Sequence, residues 1–173
     1  MASTYVAIST LTVGSGGATE FDFTSIPSTH TDLLVKVSSR TNRSDTRESI
    51  SIKFNNDATS IYSYRILYGT GSATASSSGS AGTFLWTGES TGSTATASVF
   101  GSTEIYIPNY AGSNYKSLSA DFTSENNATA VIQGLTAGLY SSTTAISRIT
   151  LTGGSGFTFQ QYSTATLYGI KSS

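Results

Sequence analysis

Apolar and polar residues alternate with a period of two through most of the chain. Each alternating segment places its isoleucine, valine, leucine, phenylalanine or tyrosine side chains on one face and serine, threonine or charged side chains on the other. Ten segments share this pattern: TYVAIS (4–9), EFDFTSI (20–26), DLLVKVS (32–38), ESISIKF (48–54), IYSYRILY (61–68), TATASVF (94–100), STEIYIP (102–108), SLSADFTS (117–124), SRITLTG (147–153) and STATLYGI (163–170). Such alternation is typical of half-buried β-strands and predicts about eight to ten of them.

Turn-forming residues separate these segments, and no apolar stripe of helical period extends over three turns. The turn formers are 14–17, Asn55-Asn56-Asp57, Asn109, Gly112, Asn126-Asn127 and Gly153-Gly154. The best helical candidate, AVIQGLTAGLY (130–140), contains Gly134 and Gly138, and we interpret it as strand, turn and strand. Regularly spaced strands without crossover helices predict an all-β, antiparallel sandwich of jelly-roll type. The length predicts one domain spanning residues 1–173.

The stretch 69–83 departs from the alternation because it is rich in glycine and serine. It resembles a flexible linker, and we expect a long exposed loop there. Phe84 and Trp86 follow directly and give the loop an apolar end. Two interpretations stay open: the loop packs against its own aromatic residues, or it becomes ordered on a partner. Phe84 and Trp86 are therefore candidate partner contacts.

A second atypical stretch, RTNRSDTRES (40–49), is polar throughout. Six of the nine basic residues lie between Lys36 and Arg65, where there are only three acidic residues. The pattern predicts a charged connection between two strands. Arg40, Arg43 and Arg47 are candidate partner contacts.

Composition excludes several classes of function. The 32 serine and 28 threonine residues supply many hydroxyl groups, whereas charged residues make up 11% of the chain and the net charge is −1. The absence of cysteine excludes disulfides, a thiol nucleophile and a cysteine-ligated metal. A concentrated basic surface for nucleic acid is lacking, and no apolar run approaches the roughly 20 residues of a membrane span. We therefore predict no nucleic-acid and no membrane partner.

No catalytic or metal-binding motif stands out. His30 is the only histidine and lies in IPSTHTD, where a turn residue before a strand is the simplest interpretation. One histidine without cysteine cannot build a zinc centre, and the acidic residues are too scattered for a calcium loop. Nothing in the sequence pairs Glu104 with Asp121 as a hydrolase would require. We predict no enzyme activity, no metal and no cofactor.

Exposed aromatic residues leave glycan binding as an alternative. Tyr62, Tyr64 and Tyr68 share a face with Ile66, which predicts core positions. Tyr110 and Tyr115, in the loop PNYAGSNY, are the better candidates for exposed contacts. The residues thus leave a glycan-binding module as an alternative function.

Two segments resemble a known class of proteins. TYVAISTLTVGSGGATEFDFTSIPSTHTDLLVKVSSR (4–40) and ITLTGGSGFTFQQYSTATLYGI (149–170) look like parts of small β-rich virion proteins of tailed bacteriophages, especially those of aquatic bacteria and cyanobacteria. The resemblance implies a capsid decoration, or cement, protein with a jelly-roll fold and offers no catalytic motif. Similar modules occur in tail fibres and tail spikes, so the alternative it implies is a receptor-binding module there that recognises host surface glycans.

From this resemblance we expect a protein that binds the outer surface of the major capsid protein lattice and bridges neighbouring capsomers. The expected partners are the major capsid protein and further copies of the chain, with a homotrimer preferred. The N-terminal sequence MASTYVAISTLTVGSGG has neither a basic lead nor a sustained apolar stretch. We therefore expect assembly in the host cytoplasm and a final location on the capsid exterior of the virion.

Overall fold

The computed structural model of the chain describes residues 4–126 and 131–171. These ranges contain twelve β-strands and one short 3₁₀ helix, Gly154–Gly156. The strands are β1 (Tyr5–Thr12), β2 (Glu20–Phe23), β3 (Asp32–Ser39), β4 (Arg47–Phe54), β5 (Tyr62–Gly69), β6 (Thr74–Gly82), β7 (Leu85–Thr91), β8 (Gly101–Ile107), β9 (Lys116–Ser124), β10 (Ile132–Tyr140), β11 (Ile149–Gly153) and β12 (Thr164–Ile170). Asn127, part of a predicted turn, lies outside the described residues.

The strands form two antiparallel sheets, which confirms the predicted sandwich. The large sheet has eight strands in the order β1-β12-β3-β8-β9-β10-β5-β6, and the small sheet has four in the order β2-β11-β4-β7. The pairs β1·β12, β2·β11, β3·β8 and β4·β7 are nested in the chain and alternate between the sheets. This nesting is the arrangement of an eight-stranded jelly roll.

Four further strands, in two hairpins, widen the large sheet beyond the eight strands of the jelly roll. The hairpin β9–β10 continues the large sheet beyond β8, and the hairpin β5–β6 continues it beyond β10. We call these four strands the extension. The small sheet has no matching addition, so the two layers of the sandwich are unequal in width.

The main core lies between the two sheets and consists of the inward half of the alternating pattern. Aliphatic and phenylalanine side chains from both layers meet there with almost no exposure. The buried residues include Phe21, Phe23, Leu33, Val35, Val37, Ile50, Ile52, Phe54, Ile105, Ile107, Leu118, Ala120, Ile149 and Leu151. Burial of these side chains provides the main driving force for folding.

Three aromatic residues join the jelly roll to the extension. The rings of Tyr62 and Tyr140 stack with centroids 5.0 Å apart, and the ring of Phe54 lies 5.3 Å from that of Tyr140. The Tyr62 hydroxyl accepts a hydrogen bond from the Phe54 amide and donates to the Asp57 carbonyl oxygen. All three rings are buried, so they pack β4 of the small sheet against β5 and β10 of the extension.

The predicted break within residues 130–140 is wrong, because β10 is continuous. It pairs with β9 and with β5 along its whole length. Its glycines serve close packing instead of a turn: a Cβ on Gly134 would lie 2.5 Å from the Phe122 ring, and one on Gly138 would lie 2.3 Å from Leu85. Glycine inside a strand often marks such a close approach.

The loop predicted at 69–83 is also wrong, since most of it forms strand β6. Backbone pairing with β5 extends from Gly69 opposite Thr74 to Tyr62 opposite Gly82. The side chains of β6 are small and carry no apolar alternation, so the sequence pattern gave no strand signal. Only residues 70–73 form the turn of the hairpin, closed by a hydrogen bond from the Thr70 amide to the Ala73 carbonyl oxygen.

Conversely, the strand predicted at TATASVF (94–100) is absent, because these residues form turns. Their carbonyl groups accept hydrogen bonds from the Arg40 guanidinium instead of from a neighbouring strand. Nη1 donates to the carbonyl oxygens of Thr96 and Val99, at 2.9 and 3.0 Å. The local alternation therefore predicted a strand, but the hydrogen bonds with Arg40 hold these residues in turns.

The tight contact between β7 and β10 predicts a specific cost for Gly138→Ala. The new methyl group would collide with the buried Leu85 side chain, so we expect a loss of about 1–3 kcal/mol in the free energy of unfolding. Gly14→Ala is the matched control, because a Cβ at Gly14 meets nothing within 4 Å. Urea unfolding followed by the fluorescence of the single tryptophan measures both. Equal stability of the two variants would contradict this packing.

Candidate binding surface

The outward side of the large sheet is the broadest solvent-exposed surface that the strands create. We call it the outer face. Residues directly opposite one another in adjacent strands share a face, so strand registers trace a row across all eight strands. This row is Thr10, Thr166, Lys36, Glu104, Asp121, Leu135, Leu67 and Ser76. The row changes from hydroxyl groups through charges to an apolar pair.

The apolar pair consists of Leu67 on β5 and Leu135 on β10. The two residues lie directly opposite each other in the register and are 59% and 60% exposed. Their neighbours along the row are Asp121 and Ser76. Two adjacent leucines thus keep most of their apolar surface in water, which makes them the candidate contact of the outer face.

The outer face carries few charges of both signs, and Lys36 and Glu104 form an ion pair there. Lys36 Nζ lies 2.9 Å from Glu104 Oε2, and the hydrogen bond with Glu104 raises the pKa of Lys36. The hydroxyl of Tyr106 donates to Asp32 at 2.9 Å, and this bond raises the pKa of the tyrosine. The outer face therefore carries little net charge that could direct a charged ligand.

Glu104 and Asp121 are directly opposite each other on β8 and β9, although the sequence offered no sign of such a pairing. Both project from the open outer face, and Glu104 is also bonded to Lys36. A glycosidase encloses its two carboxyl groups in a cleft across the scissile bond. The register thus brings two carboxylates together on an exposed surface.

A groove of about 810 Å³ opens beside the apolar pair at one end of the extension. Its lining includes Leu67, Leu135, Asp121, Gln133 and Val131. We assign no ligand to this groove.

Arg40 is buried, in contrast to its predicted place in an exposed connection. Besides the two bonds to Thr96 and Val99, its Nη2 donates to the carbonyl oxygens of Ser93 and Ala95, each at 3.0 Å. Burial lowers the pKa of the guanidinium. Since four carbonyl groups hold this side chain, it stabilises the turns at 93–99 and presents no surface to a partner.

Arg43 is half-buried and engaged within the chain. Its guanidinium lies 3.2 Å from Glu48 Oε1 and 3.4 Å from Asp45 Oδ2, and it also contacts the Phe157 ring. Arg47 is half-buried too, and its Nη1 is buried without a hydrogen-bond partner in the described part of the chain. Arg43 is therefore neutralised by neighbouring acids, whereas Arg40 is held by carbonyl groups.

Two acidic residues near these arginines are almost fully enclosed. Glu48 is buried, and burial raises the pKa of its carboxyl group. Burial likewise raises the pKa of Glu89 to about 7, while nearby Arg47 opposes the shift. Glu89 lies opposite Ser49, whose hydroxyl donates to Glu89 Oε1 at 3.4 Å. Burial removes the water that would stabilise the carboxylate, so ionisation of Glu89 costs free energy in the folded protein.

Phe84 and Trp86 take different places although they are two residues apart. Phe84 is 49% exposed between β6 and β7. Trp86 is half-buried: its ring packs edge-on against Tyr64 at 6.1 Å and near Phe122 at 6.2 Å. Together with Ile66 and Ile132, these rings form a small second core under the extension. Phe84 is thus exposed enough to contact a partner, whereas Trp86 packs against the large sheet.

The two tyrosines of PNYAGSNY also separate. Tyr110 is fully buried, and its hydroxyl donates to the Pro27 carbonyl oxygen, so its predicted exposure is wrong. Tyr115 is 58% exposed, as predicted. The neighbouring Lys116 is buried and its Nζ donates to the carbonyl oxygens of Gly112 and Asn114, which fixes this loop. No stacking platform of two exposed tyrosines exists in this loop.

His30 occupies the predicted turn before β3. Its ring lies over Gly169, where a Cβ would be 2.3 Å from the imidazole. No group of three histidine, cysteine or acidic residues in the ranges 4–126 and 131–171 is arranged to hold a metal ion. The same ranges contain no helix long and apolar enough to cross a membrane.

Sequence reasoning missed four residues of interest: Leu67, Leu135, Glu48 and Glu89. Leu67 alternates with the inward Ile66, so its outward direction was available from the pattern. Glu48 has the same parity as the buried Ile50 and could have been assigned inward for that reason. Leu135 and Glu89 gave no local signal, because their surroundings depend on which strands meet.

The enclosed carboxyl group of Glu89 predicts a pH-dependent stability. Because its pKa is raised from 4.5 to about 7, the protonated form favours folding below pH 4.5, and this contribution is lost as the pH rises through 7. The loss amounts to about 3 kcal/mol at most. Glu89→Gln should remove most of it and stabilise the chain at pH 8 while changing little at pH 4.5. Urea unfolding at both pH values tests this, with Glu20→Gln, an exposed site, as control. Parallel pH profiles for Glu89→Gln and the unmodified chain would contradict the prediction.

Comparison with known proteins adds no family to this description. No protein-family model, no curated protein and no solved structure matches the chain.

Proposed function

We propose that this chain is a structural virion protein of a tailed bacteriophage that decorates the capsid exterior by binding the major capsid protein lattice. The observation that carries the proposal is the outer face of the large sheet. It spans eight strands, presents mainly hydroxyl groups and few charges, and contains the exposed pair Leu67–Leu135. Such a surface fits a protein partner better than a small molecule.

The chemistry of the outer face supports a lattice of protein as the partner. Protein interfaces combine an apolar centre with a polar rim, and the leucine pair surrounded by serine, threonine and Asp121 has this composition. Nucleic acid would require a cluster of unpaired basic residues, whereas Lys36 is paired with Glu104. The favourable free energy would come from burying the leucines and not from charge attraction.

The location of the resembling segments is consistent with this role. The segment 4–40 contains β1, β2 and β3, and the segment 149–170 contains β11 and β12. These strands pair as β1·β12, β2·β11 and β12·β3, so the two distant stretches form one continuous part of the jelly roll. The part that resembles phage virion proteins is thus the scaffold, while the extension carries the leucine pair.

The proposed mechanism is stabilisation by mass action. A ligand that binds the assembled lattice and not its separated subunits shifts the equilibrium toward the closed shell. Each bound copy contributes modestly, and many copies that bridge neighbouring capsomers add up against internal pressure. The protein needs no catalytic group for this task.

Glycan recognition is the second candidate, favoured by one observation. Tyr64, Tyr68 and Trp86 lie together, half-buried, on the inner side of the extension. The small sheet ends at β7 and adds no strand beyond it here. Aromatic rings of this kind can stack against sugars. Because Trp86 is the only tryptophan, its fluorescence reports binding there directly. A saturable change with host envelope polysaccharide, together with a tail location of the protein, would favour this candidate over decoration.

The decoration proposal predicts that the apolar pair anchors the protein on the head. Leu67→Ser combined with Leu135→Ser should weaken co-sedimentation with phage heads that lack the protein by about 10- to 100-fold, because the buried leucine contacts are lost. Tyr162→Ser is the control, since this residue is 71% exposed and lies outside the outer face. Urea unfolding verifies that all variants stay folded.

Two results would overturn the proposal. The first is undiminished binding of the double leucine variant, which would exclude the outer face as the contact. The second is cryo-EM of virions showing a few copies at the tail instead of many copies over the head.

A further inference from the structure

The free edge of β6 differs from the other three sheet edges. β6 is the last strand of the large sheet and, within residues 4–126 and 131–171, pairs only with β5. Its nine residues, TASSSGSAG, include no charged residue and no proline. From Thr74 to Gly79 the register with β5 is regular, and the only bulge follows, between Gly79 and Gly82. Six consecutive residues thus present an unpaired, extended backbone to solvent.

The other edges carry features that hinder pairing with a further strand. β1 is interrupted in its middle by a bulge between Ala7 and Ser9. β2 has four residues and carries Glu20 and Asp22. β7 contains a register shift, and Thr87 to Thr91 are buried. Natural proteins protect sheet edges by bulges, short strands, charges or cover, and the regular part of β6 has none of these.

The composition of β6 also gives this strand little stability while it is paired on one side only. Glycine, serine and alanine are poor strand formers, and Thr74 is the only β-branched residue in this strand. The side chains from Thr74 to Ser78 are exposed, so they add little apolar burial. A further strand on the free side of β6 would add backbone hydrogen bonds, and these would stabilise β6 where its side chains do not.

We propose that the free edge of β6 pairs in antiparallel orientation with β6 of a second copy of this chain. The second copy is favoured because β6 carries no charge, so two identical strands meet without repulsion. Its small side chains also let two sheets approach without steric conflict. Pairing of identical antiparallel strands creates a two-fold axis, so the expected assembly is a dimer, in place of the homotrimer expected from the sequence.

The geometry of this dimer has a further consequence. The two-fold axis stands perpendicular to the sheet, so the outer faces of both copies lie on the same side of one continuous sheet. The two β5 strands, each carrying a Leu67, are then three strand spacings apart across the sheet, about 14 Å. The pairing does not depend on the proposed capsid role, but a dimer would present two leucine pairs to one lattice.

The first experiment measures association of the full chain by analytical ultracentrifugation up to high micromolar concentration. We expect a reversible dimer of the 18.0 kDa chain. Ser76→Lys combined with Ser78→Lys places like charges across the axis and should weaken the dimer at least tenfold. Ser117→Lys combined with Ser119→Lys is the matched control, because it adds the same charge at exposed positions in the middle of the outer face.

The second experiment uses the absence of cysteine in the chain. An antiparallel two-fold pairing brings one residue of β6 opposite its own copy, within reach of a disulfide. Single cysteines at Ala75, Ser76, Ser77 and Ser78 should therefore give one strongly cross-linked position, whereas Ser119→Cys on the outer face should give none.

The outcomes decide the proposal. A tenfold weakening by the β6 lysines alone, with one cross-linking position in β6, supports it. A monomer at all concentrations, a trimer, a dimer that the β6 lysines leave unchanged, or cross-linking only at Ser119→Cys would each overturn it. None of these results depends on capsid binding, so failure of this pairing and failure of the proposed function are distinguishable.

Discussion

The close approach of β7 to β10 is the contact on which the other features of the molecule depend. Gly138 permits this approach because it leaves room for Leu85. On the same strand, Gly134 lies opposite Phe122 of β9 and leaves room for its ring. β7 is the edge of the small sheet, so this contact sets how far the small sheet covers the extension. Trp86 then packs against Phe122 and closes the second core from the same strand.

The unequal width of the two sheets determines where the molecule can interact. Inward side chains of β5, β9 and β10 pack beside Trp86 of β7, while Leu67 and Leu135 on the outward side remain in solvent. Leu67 and Leu135 are therefore exposed as a pair, and β6 lies at the edge of the large sheet, beyond β5. Both proposed contact regions arise from the four strands added to the jelly roll, and the jelly roll itself positions them.

Buried charged residues hold together the polar stretch 40–49 and the segments that pack against it. Arg40 satisfies four carbonyl groups of the turns at 93–99, and Glu48 is enclosed beside Arg43. A buried charge is tolerated when hydrogen bonds replace its water, and Arg40 meets this condition. Glu89 meets it less well, which is why burial raises its pKa. A stretch that looks like a solvated connection in the sequence is thus part of the structural framework.

Period-two alternation by itself determined the class of the fold, the main core and most strands, because strand side chains must alternate between the core and water. It also placed His30 in a turn. Only the tertiary structure decided the rest. β6 exists through backbone pairing that small side chains do not signal, the alternation at 94–100 was overridden by Arg40, and Tyr110 was buried by the Pro27 segment. The leucine pair likewise required the register of β5 with β10, since local sequence shows which face a residue takes but not which residue lies opposite.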